Sequence, residues 1–294
     1  MVEMRRLGLL LLLVALPVRA GDDRPERRVA DPKLQVSINQ AVSHGIRFLR
    51  KQQQPEGHWI YSAEDPVMSG GMTALSLYAL AASGVSYNDP ATRRGLEWVQ
   101  RHPKPYGPDS SHGTYCASLL VLALTRISAR VHRDRIHDLA DLIAASQLES
   151  DMWTYGLSRG TSTSERKKTN RRKKRKSKRQ YVPGDNSNSQ FAILALWAAQ
   201  NLAGWEAPRG TWLRVLEFYA RTQEEGGAWG YTVGHHRSGS LSMTAAGLVS
   251  HVYAEAALHG GYDALPLARG SRTARSGLEA FRRFSATDFY SNLY

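Results

Sequence analysis

The chain has 294 residues, with 39 Lys and Arg against 26 Asp and Glu, giving a formal net charge of +13. Its apolar fraction of 42% is enough to build a core, which excludes a wholly disordered chain. The one cysteine, Cys116, excludes an internal disulfide framework and a cysteine-rich zinc module. So positive a charge is typical of proteins that bind nucleic acid, anionic membranes or acidic polymers, and its distribution along the chain decides what it means.

The first 20 residues have the pattern of a secretory signal peptide. A basic pair, Arg5-Arg6, precedes an apolar run over 7–16, and a small-residue exit ends at Ala20. The run is shorter than the roughly 20 residues that a membrane-spanning helix needs. We therefore expect cleavage after Ala20, an N-terminal linker over 21–35, and a mature protein that is secreted or held in the periplasm or cell envelope.

The remaining excess charge lies in one segment, 165–179. It holds eleven basic residues: Arg166, Lys167, Lys168, Arg171, Arg172, Lys173, Lys174, Arg175, Lys176, Lys178 and Arg179. Subtracting these eleven from +13 leaves +2, and the signal peptide itself carries a net +2, so the rest of the chain is close to neutral. The segment either attaches the protein to an anionic polymer or membrane surface, or is a tolerated surface insertion.

Four glutamines are each followed six residues later by an aromatic residue. Successive glutamines are 47, 47 and 76 residues apart, and the last gap exceeds 47 by 29. That excess is the length of a low-complexity stretch, 157–185, which contains the basic segment. The sequence therefore predicts a repeat of about 47 residues with a disordered basic insertion in its third copy. The pairs are Gln53 and Trp59, Gln100 and Tyr106, Gln147 and Trp153, and Gln223 and Trp229.

Each copy is predicted to form two helices, so the fold class is all-α. The first helix is amphipathic and ends at the glutamine, whereas the second is apolar nearly all round and should be buried. Predicted first helices cover 38–53, 92–100, 136–147 and 212–223, and predicted second helices cover 72–82, 114–125, 189–200 and 241–258. The residue four after the glutamine, Gly57, Asp151 or Gly227, suits a left-handed turn. A fifth first helix begins at Gly277, which makes about four and a half hairpins.

Two of the copies, 53–59 and 223–229, fit the pattern Gln-x3-Gly-x-Trp. This pattern resembles the Gln-Trp motif of squalene and hopene cyclases. Over about 36–290, the chain resembles the terpenoid cyclase and protein prenyltransferase superfamily with prenyltransferase/squalene oxidase repeats, and it looks closest to secreted bacterial members without an assigned activity. The resemblance implies an α/α toroid over 36–294, as a ring or an open arc. In an arc, a protein partner caps the open C-terminal edge, or the chain is a shortened descendant of the family.

The chemistry that the resemblance implies depends on motifs that this sequence lacks. Cyclases of this kind use an Asp-x-Asp-Asp string, whereas Asp138 and Asp141 are predicted to be solvated charges on an outer helix. The zinc-dependent transferases have Asp two residues before a Cys, but Thr114 takes that position before Cys116, which is predicted to pack as a small helix residue. We therefore predict no catalytic residue of the family type, no metal and no cofactor.

A tyrosine follows each motif tryptophan by two residues, at Tyr61, Tyr155 and Tyr231, and His235 lies just beyond the last of them. An aromatic rim at the mouth of the helix row can bind an isoprenoid, a glycan or a peptide. The alternative is that the Trp-x-Tyr unit is a repeated packing element. The function predicted is a binding or scaffolding role in the cell envelope, with no catalytic step.

The alternative function is an enzyme that acts on an isoprenoid or a glycan. Glycoside hydrolysis needs paired carboxylates that face a cleft, and carboxylates do occur in the turns after the first helices. No spacing singles out a pair among them. They are Glu56, Glu64, Asp65, Asp151, Glu224 and Glu225.

The insertion hypothesis predicts that deleting 165–179 leaves folding intact, because the repeat spacing is complete without that segment. The thermal melt of the deletion variant, followed by circular dichroism, should stay cooperative with an unchanged midpoint. Loss of the cooperative transition would show that the segment is part of the folded body.

Overall fold

The computed structural model describes residues 31–60, 68–157, 184–232 and 239–291, the last seven of these by backbone alone. Over these residues the protein contains ten α-helices and no strand, which confirms the all-α prediction. No helix in this part of the chain combines the length and the apolar character that a bilayer crossing requires. The helices are α1 Pro32–Gln52, α2 Met68–Ala82, α3 Pro90–Arg101, α4 Gly113–Ser128, α5 Arg133–Ala145, α6 Asn186–Ala203, α7 Arg209–Thr222, α8 Leu241–His259, α9 Leu265–Arg269 and α10 Arg272–Ser291.

The second helices of the copies form an inner row. Helix α2 packs against α4, α4 against α6 and α6 against α8, and α4 and α6 are buried along most of their length. Helix α3 packs on α2, α5 lies against both α4 and α6, and α7 and α10 both pack on α8. The predicted burial of the second helices is thereby confirmed, whereas closure into a toroid or an arc stays a prediction.

Proline and aspartate explain why two helices begin earlier than predicted. Asp31 and Asp89 accept hydrogen bonds at the N-termini of α1 and α3, and Pro32 and Pro90 occupy the first helical position, where the missing N–H costs nothing. Sequence periodicity did not predict α9, nor the two 3₁₀ turns at Lys104–Tyr106 and Gly261–Ala264. Helix α10 begins five residues before Gly277 and continues to Ser291.

Three motif tryptophans join an outer helix to the inner helix that follows it. We call this contact the tryptophan bridge. The indole Nε1–H donates to a carbonyl in the last turn of the outer helix, where carbonyls lack helical partners, and the tryptophan amide donates to a hydroxyl on the inner helix. The indole bonds are Trp59 to Leu49 (2.8 Å), Trp153 to Ile143 (2.7 Å) and Trp229 to Tyr219 (2.9 Å). The amide bonds are Trp59 to Thr73 (3.1 Å), Trp153 to Ser189 (2.9 Å) and Trp229 to Thr244 (3.2 Å).

The motif glutamine joins one outer helix to the next outer helix. The Gln53 amide donates to the Gly57 carbonyl at 2.8 Å and to the Ala91 carbonyl in the first turn of α3 at 2.9 Å. Gln223 repeats this geometry toward Gly227 and Thr273, both at 3.0 Å. The acceptors of each glutamine lie in the turn and on the next helix, because the chain leaves the helix in extended conformation at Gln53 and Gln223.

The left-handed turn prediction is confirmed. Gly57, Asp151 and Gly227 have φ values of 102°, 69° and 84°. A Cβ at Gly57 would lie 2.4 Å from the Arg94 carbonyl oxygen, so glycine is required by close approach of α3 as well as by φ. Asp151 takes the same conformation with a side chain, and its carboxylate pairs with Arg221 at 2.9 Å.

The second copy departs from the predicted motif. Gln100 lies inside α3 and is exposed, so it does not take the position after the helix that the other motif glutamines occupy. Tyr106 is buried in a 3₁₀ turn, and its hydroxyl donates to the Gly70 carbonyl of α2 at 3.0 Å. The proline-flanked Lys104 forces this turn, which explains why the left-handed geometry of the other copies is absent at that point.

A matched pair of glycine substitutions tests the tryptophan bridge. A Cβ added at Gly247 of α8 would lie 2.5 Å from the Trp229 ring, whereas a Cβ at Gly45 of α1 meets nothing within 4 Å. Gly247→Ala should lower the free energy of unfolding by about 1–3 kcal/mol through overpacking. Gly45→Ala should raise it by about 0.5–1 kcal/mol, because alanine loses less backbone entropy in a helix. Urea unfolding measures both, and equal effects would contradict the packing described.

Candidate functional site

The candidate site lies where the inner helices α4 and α6 begin. The Thr114 amide in α4 donates to the Tyr155 carbonyl at 3.0 Å, and the Asn186 amide in α6 donates to the Tyr231 carbonyl at 2.9 Å. Amides in the first turn of a helix have no acceptor within the helix, so each tyrosine backbone satisfies one of them. Both tyrosines are therefore held over the starts of inner helices.

Three tyrosines meet there, and we call Tyr115, Tyr155 and Tyr231 the tyrosine cluster. The hydroxyls of Tyr155 and Tyr231 are 3.3 Å apart, and these residues are 40% and 39% exposed. Tyr115 lies beneath them, with its ring centre 6.0 Å from that of Tyr155 and its hydroxyl 2.5 Å from the Ser187 hydroxyl. The cluster therefore presents ring faces and hydroxyls together to solvent.

A buried carboxyl group, Asp185, lies below the cluster. It is 5% exposed and caps α6, accepting hydrogen bonds from the Asn188 backbone amide at 2.8 Å and side-chain amide at 2.7 Å. The Tyr231 hydroxyl lies close enough to this carboxyl group to favour its charged form. The Asp185 amide donates to the Trp153 carbonyl at 3.0 Å, which connects the carboxyl group to a tryptophan bridge.

Burial controls the protonation of these groups. Loss of solvation raises the pKa of Asp185, although the hydrogen bonds from Asn188 and the nearby hydroxyl of Tyr231 act in the opposite direction. Loss of solvation also raises the pKa values of Tyr115 and Tyr231, and for Tyr231 the hydrogen bond with Tyr155 and the charge of Asp185 add to the effect. The phenols of the two residues are therefore neutral donors and acceptors at physiological pH.

Asn186 fixes the site relative to the neighbouring helices. Its side-chain oxygen accepts a hydrogen bond from the Tyr219 hydroxyl of α7 at 2.7 Å. Its side-chain nitrogen donates to the Met243 carbonyl of α8 at 3.1 Å and to the Gly230 carbonyl at 3.3 Å. Since these partners come from three different segments, the start of α6 is held rigidly under the cluster.

Two of the four tyrosine and histidine positions predicted for the rim come together in the structure. Tyr155 and Tyr231 are in contact, as described above, whereas Tyr61 and His235 lie outside the described residues. Glu64 and Asp65 also lie outside them.

Sequence analysis missed Asp185, Tyr115 and Ser187. Asp185 was assigned to the end of the insertion, 157–185, but Leu157, Gly184 and Asp185 are buried against the folded body. Residues 158–183, including the basic segment, lie outside the described residues. An aspartate just before a helical run is a recognisable N-cap, so the cap could be found from sequence, but its contact with Tyr231 could not.

The other candidate residues from the sequence are paired with a neighbouring side chain, exposed to solvent or packed in the core. Asp151 pairs with Arg221, and Asp138 is exposed on α5, as expected for a solvated charge. Asp141 is also exposed but, contrary to the prediction, accepts the indole N–H of Trp205 at 2.9 Å. Cys116 is fully buried in α4, as expected for a packed residue. Among the described residues, no three His, Cys, Asp or Glu side chains come together in a way that would hold a metal ion.

A cleft of about 470 Å³ lies at the other end of the inner row, between the C-termini of α6 and α8 and the start of α7. Two tryptophans line it, and both use their indole N–H internally. Trp212 donates to Gln200 at 2.8 Å and Trp205 donates to Asp141 at 2.9 Å. The tyrosine cluster is the stronger candidate for a ligand site, because Tyr155 and Tyr231 are both partly exposed and each hydroxyl oxygen can accept a further hydrogen bond.

Comparison with known proteins gave no match, either to a protein family model or to a curated protein or a solved structure. The functional meaning of the tyrosine cluster therefore depends on its own contacts and on the chemistry of its side chains.

Asp185→Asn tests the burial of the carboxyl group through the pH dependence of stability. Because the folded-state pKa of Asp185 is raised, the native state binds its proton more tightly than the unfolded state. The free energy of unfolding of the wild type therefore falls as pH rises from the unfolded pKa, about 4, through the folded pKa. Asp185→Asn lacks this loss. Over the same pH range the free energy of unfolding of the variant should therefore rise relative to that of the wild type, by about 1.4 kcal/mol for each unit by which the folded-state pKa of Asp185 exceeds its unfolded-state pKa.

Urea unfolding of both proteins between pH 4 and 7 measures this difference. Asp138→Asn, at an exposed position on α5, is the matched control for removal of a carboxylate. A stability difference for Asp185→Asn that is constant over this pH range, or that favours the wild type as pH rises, would contradict the burial argument.

Proposed function

We propose that the chain is a helical-repeat binding protein of the cell envelope and that the tyrosine cluster is its ligand site. One observation carries the proposal: Tyr155 and Tyr231, from successive copies of the repeat, meet at 3.3 Å and stay 40% and 39% exposed. Exposed aromatic rings that are held by their own backbone, next to a buried carboxyl group, are typical of a site rather than of packing alone.

The chemistry of the cluster favours a glycan-type ligand. A phenol ring offers an apolar face to the C–H groups of a sugar, and its hydroxyl pairs with sugar hydroxyls. The Tyr155 and Tyr231 hydroxyls bond to each other, but each oxygen can accept a further hydrogen bond, which a sugar hydroxyl can donate and an isoprenoid chain cannot. Ring faces and hydroxyls lie side by side here, which supports a hydroxyl-rich ligand.

The anchoring of the cluster supports a binding role. The Tyr155 and Tyr231 carbonyls accept hydrogen bonds from Thr114 and Asn186, and Asn186 is itself held by Tyr219. A site that is ordered before the ligand arrives loses little conformational entropy on binding. The same rigidity suits recognition of one ligand geometry.

The location in the cell envelope and the relationship to a protein family are also proposals. The signal-peptide pattern over 1–20 supports an extracytoplasmic location, and the Gln-x3-Gly-x-Trp copies support a relationship to prenyltransferase/squalene oxidase repeat proteins. The basic segment, 165–179, supports attachment to an anionic polymer or membrane surface. We keep a protein cap at the C-terminal edge, beyond α10, as a further proposal.

A second candidate function is acid catalysis on the same ligand, and Asp185 is the observation that favours it. A buried carboxyl group with a raised pKa holds a proton nearer to neutral pH, as a general acid for glycosidic oxygen does. Release of reducing ends from an oligosaccharide by the wild type, and its loss in Asp185→Asn with binding retained, would establish this function. Binding without release of reducing ends would leave the binding function.

Removal of the exposed rings tests the binding proposal. Tyr155→Ala and Tyr231→Ala should each weaken oligosaccharide binding at least tenfold, since about 1.4 kcal/mol of lost stacking or hydrogen bonding corresponds to a factor of ten. Phe at either position keeps the ring and should weaken binding less. Isothermal titration calorimetry with cello-, malto- and chito-oligosaccharides and peptidoglycan fragments identifies the ligand and gives the dissociation constants.

Tyr87→Ala is the matched control, because Tyr87 is 41% exposed and contacts His132 far from the cluster in sequence. Binding by the wild type that all three alanine variants retain would place the site elsewhere. Binding to peptides or isoprenoids, with none to the glycans, would contradict the ligand class.

A further inference from the structure

Helix α1 carries a large apolar surface that the rest of the described chain does not cover. Five of the thirteen exposed large apolar residues lie on this one helix, and no residue of the helix is buried. Four residues spaced for one helical face are 39–61% exposed: Leu34, Ile38, Val42 and Phe48. We call these four the α1 stripe. Gly45 belongs to the same face, and a side chain added there would meet nothing within 4 Å.

The helix is held at its C-terminal end. The Leu49 carbonyl accepts the indole N–H of Trp59 at 2.8 Å, and Arg50 pairs with Asp89 at 2.6 Å. Helix α2 is the element against which it packs. Ile46 and Leu49, near the same end, pack against the core. Over the segment from Pro32 to Phe48, about 25 Å long at 1.5 Å per residue, the α1 stripe is left uncovered by the described residues.

The charge of α1 indicates the kind of partner. The helix contains no Asp or Glu, and Lys33, Arg47 and Lys51 are exposed. At 100° per residue, Lys33 and Lys51 lie on the same side, about 120° around from the centre of the α1 stripe. An apolar face with cations on its flank matches a helix that lies in the headgroup region of an anionic bilayer, with its apolar side chains in the acyl boundary.

A second copy of the chain fits this surface less well. Antiparallel pairing of two α1 helices would bring Lys33 of each copy toward Lys51 of the other, so like charges would oppose the contact. Helix α10, near the other end of the chain, is also rich in arginine, with Arg272, Arg275 and Arg282 in its sequence. Pairing of α1 with α1 is therefore electrostatically unfavourable, and α10, which also contains Glu279 and Asp288, offers the cations of α1 no strongly acidic face, whereas an anionic lipid surface is complementary.

We propose that α1 is an interfacial helix that seats the protein on an anionic lipid surface through the α1 stripe and its flanking cations. This attachment is separate from ligand binding at the tyrosine cluster and does not depend on it. It also differs from attachment through the basic segment, since it uses apolar burial as well as charge.

Vesicle co-sedimentation of the mature chain, residues 21–294, tests the proposal. The protein should sediment with vesicles of phosphatidylcholine and phosphatidylglycerol (7:3) and at least tenfold more weakly with phosphatidylcholine alone. Leu34→Gln/Phe48→Gln should reduce binding to the anionic vesicles at least tenfold without changing the thermal melt, because both side chains are exposed. Val131→Gln/Leu267→Gln, at positions that are 59% and 70% exposed on other elements, is the matched control and should bind as the wild type does.

Two further variants separate the sources of affinity. The triple variant Lys33→Gln/Arg47→Gln/Lys51→Gln should bind anionic and neutral vesicles equally. A chain that lacks 165–179 should still bind anionic vesicles, and adding Leu34→Gln/Phe48→Gln to that chain should remove this binding. Binding that is lost on deletion of 165–179 and unaffected by the α1 variants would overturn the proposal. Light scattering that shows a dimer of the wild type and a monomer of Leu34→Gln/Phe48→Gln, with equal vesicle binding, would overturn it in favour of self-association.

Discussion

The architecture depends on the tryptophan bridge. Trp59, Trp153 and Trp229 are at most 2% exposed, and each donates one hydrogen bond to the end of an outer helix and one to a hydroxyl of the next inner helix. The indole supplies a hydrogen bond to a carbonyl at the end of the outer helix, which has no N–H partner within that helix. The second hydrogen bond fixes the position of the inner helix along the axis of the outer helix. Loss of a bridge would leave a cavity as well as unpaired polar groups, and these penalties add.

The candidate site is a consequence of the same bridge. Tyr155 follows Trp153 by two residues, so the bridge that fixes the tryptophan also fixes where the tyrosine leaves the turn. The Trp153 carbonyl accepts the Asp185 amide at 3.0 Å, and the carboxyl group of Asp185 reaches Tyr231 from the next copy. In the Trp-x-Tyr units of Trp153 and Trp229, the tryptophan is buried and the tyrosine is partly exposed at the junction between copies. Packing of the tryptophan therefore leaves the tyrosine accessible to a ligand.

Much of the fold could be predicted because its signals are local. Helical periodicity located nine of the ten helices described, and a glycine or aspartate four residues after a glutamine indicated the left-handed turns at Gly57, Asp151 and Gly227. The contacts that build the site are distant in sequence, such as Tyr115 with Ser187 and Asp185 with Tyr231, and no periodicity encodes them. Gln100 shows the limit of spacing arguments, since the prolines after it change the turn. Likewise, the pattern of α1 shows which face is apolar but not that the face is uncovered.

Hydrogen exchange of the indole Nε1 protons, followed by NMR of the ¹⁵N-labelled mature chain, tests the tryptophan bridge most directly. The indoles of Trp153 and Trp229 are buried and hydrogen-bonded, so they should exchange as slowly as the most protected backbone amides of α4 and α6, through global unfolding. Exchange of these indole protons within minutes, while the α4 and α6 amides stay protected, would contradict the account, because the bridges would then open without loss of the inner row.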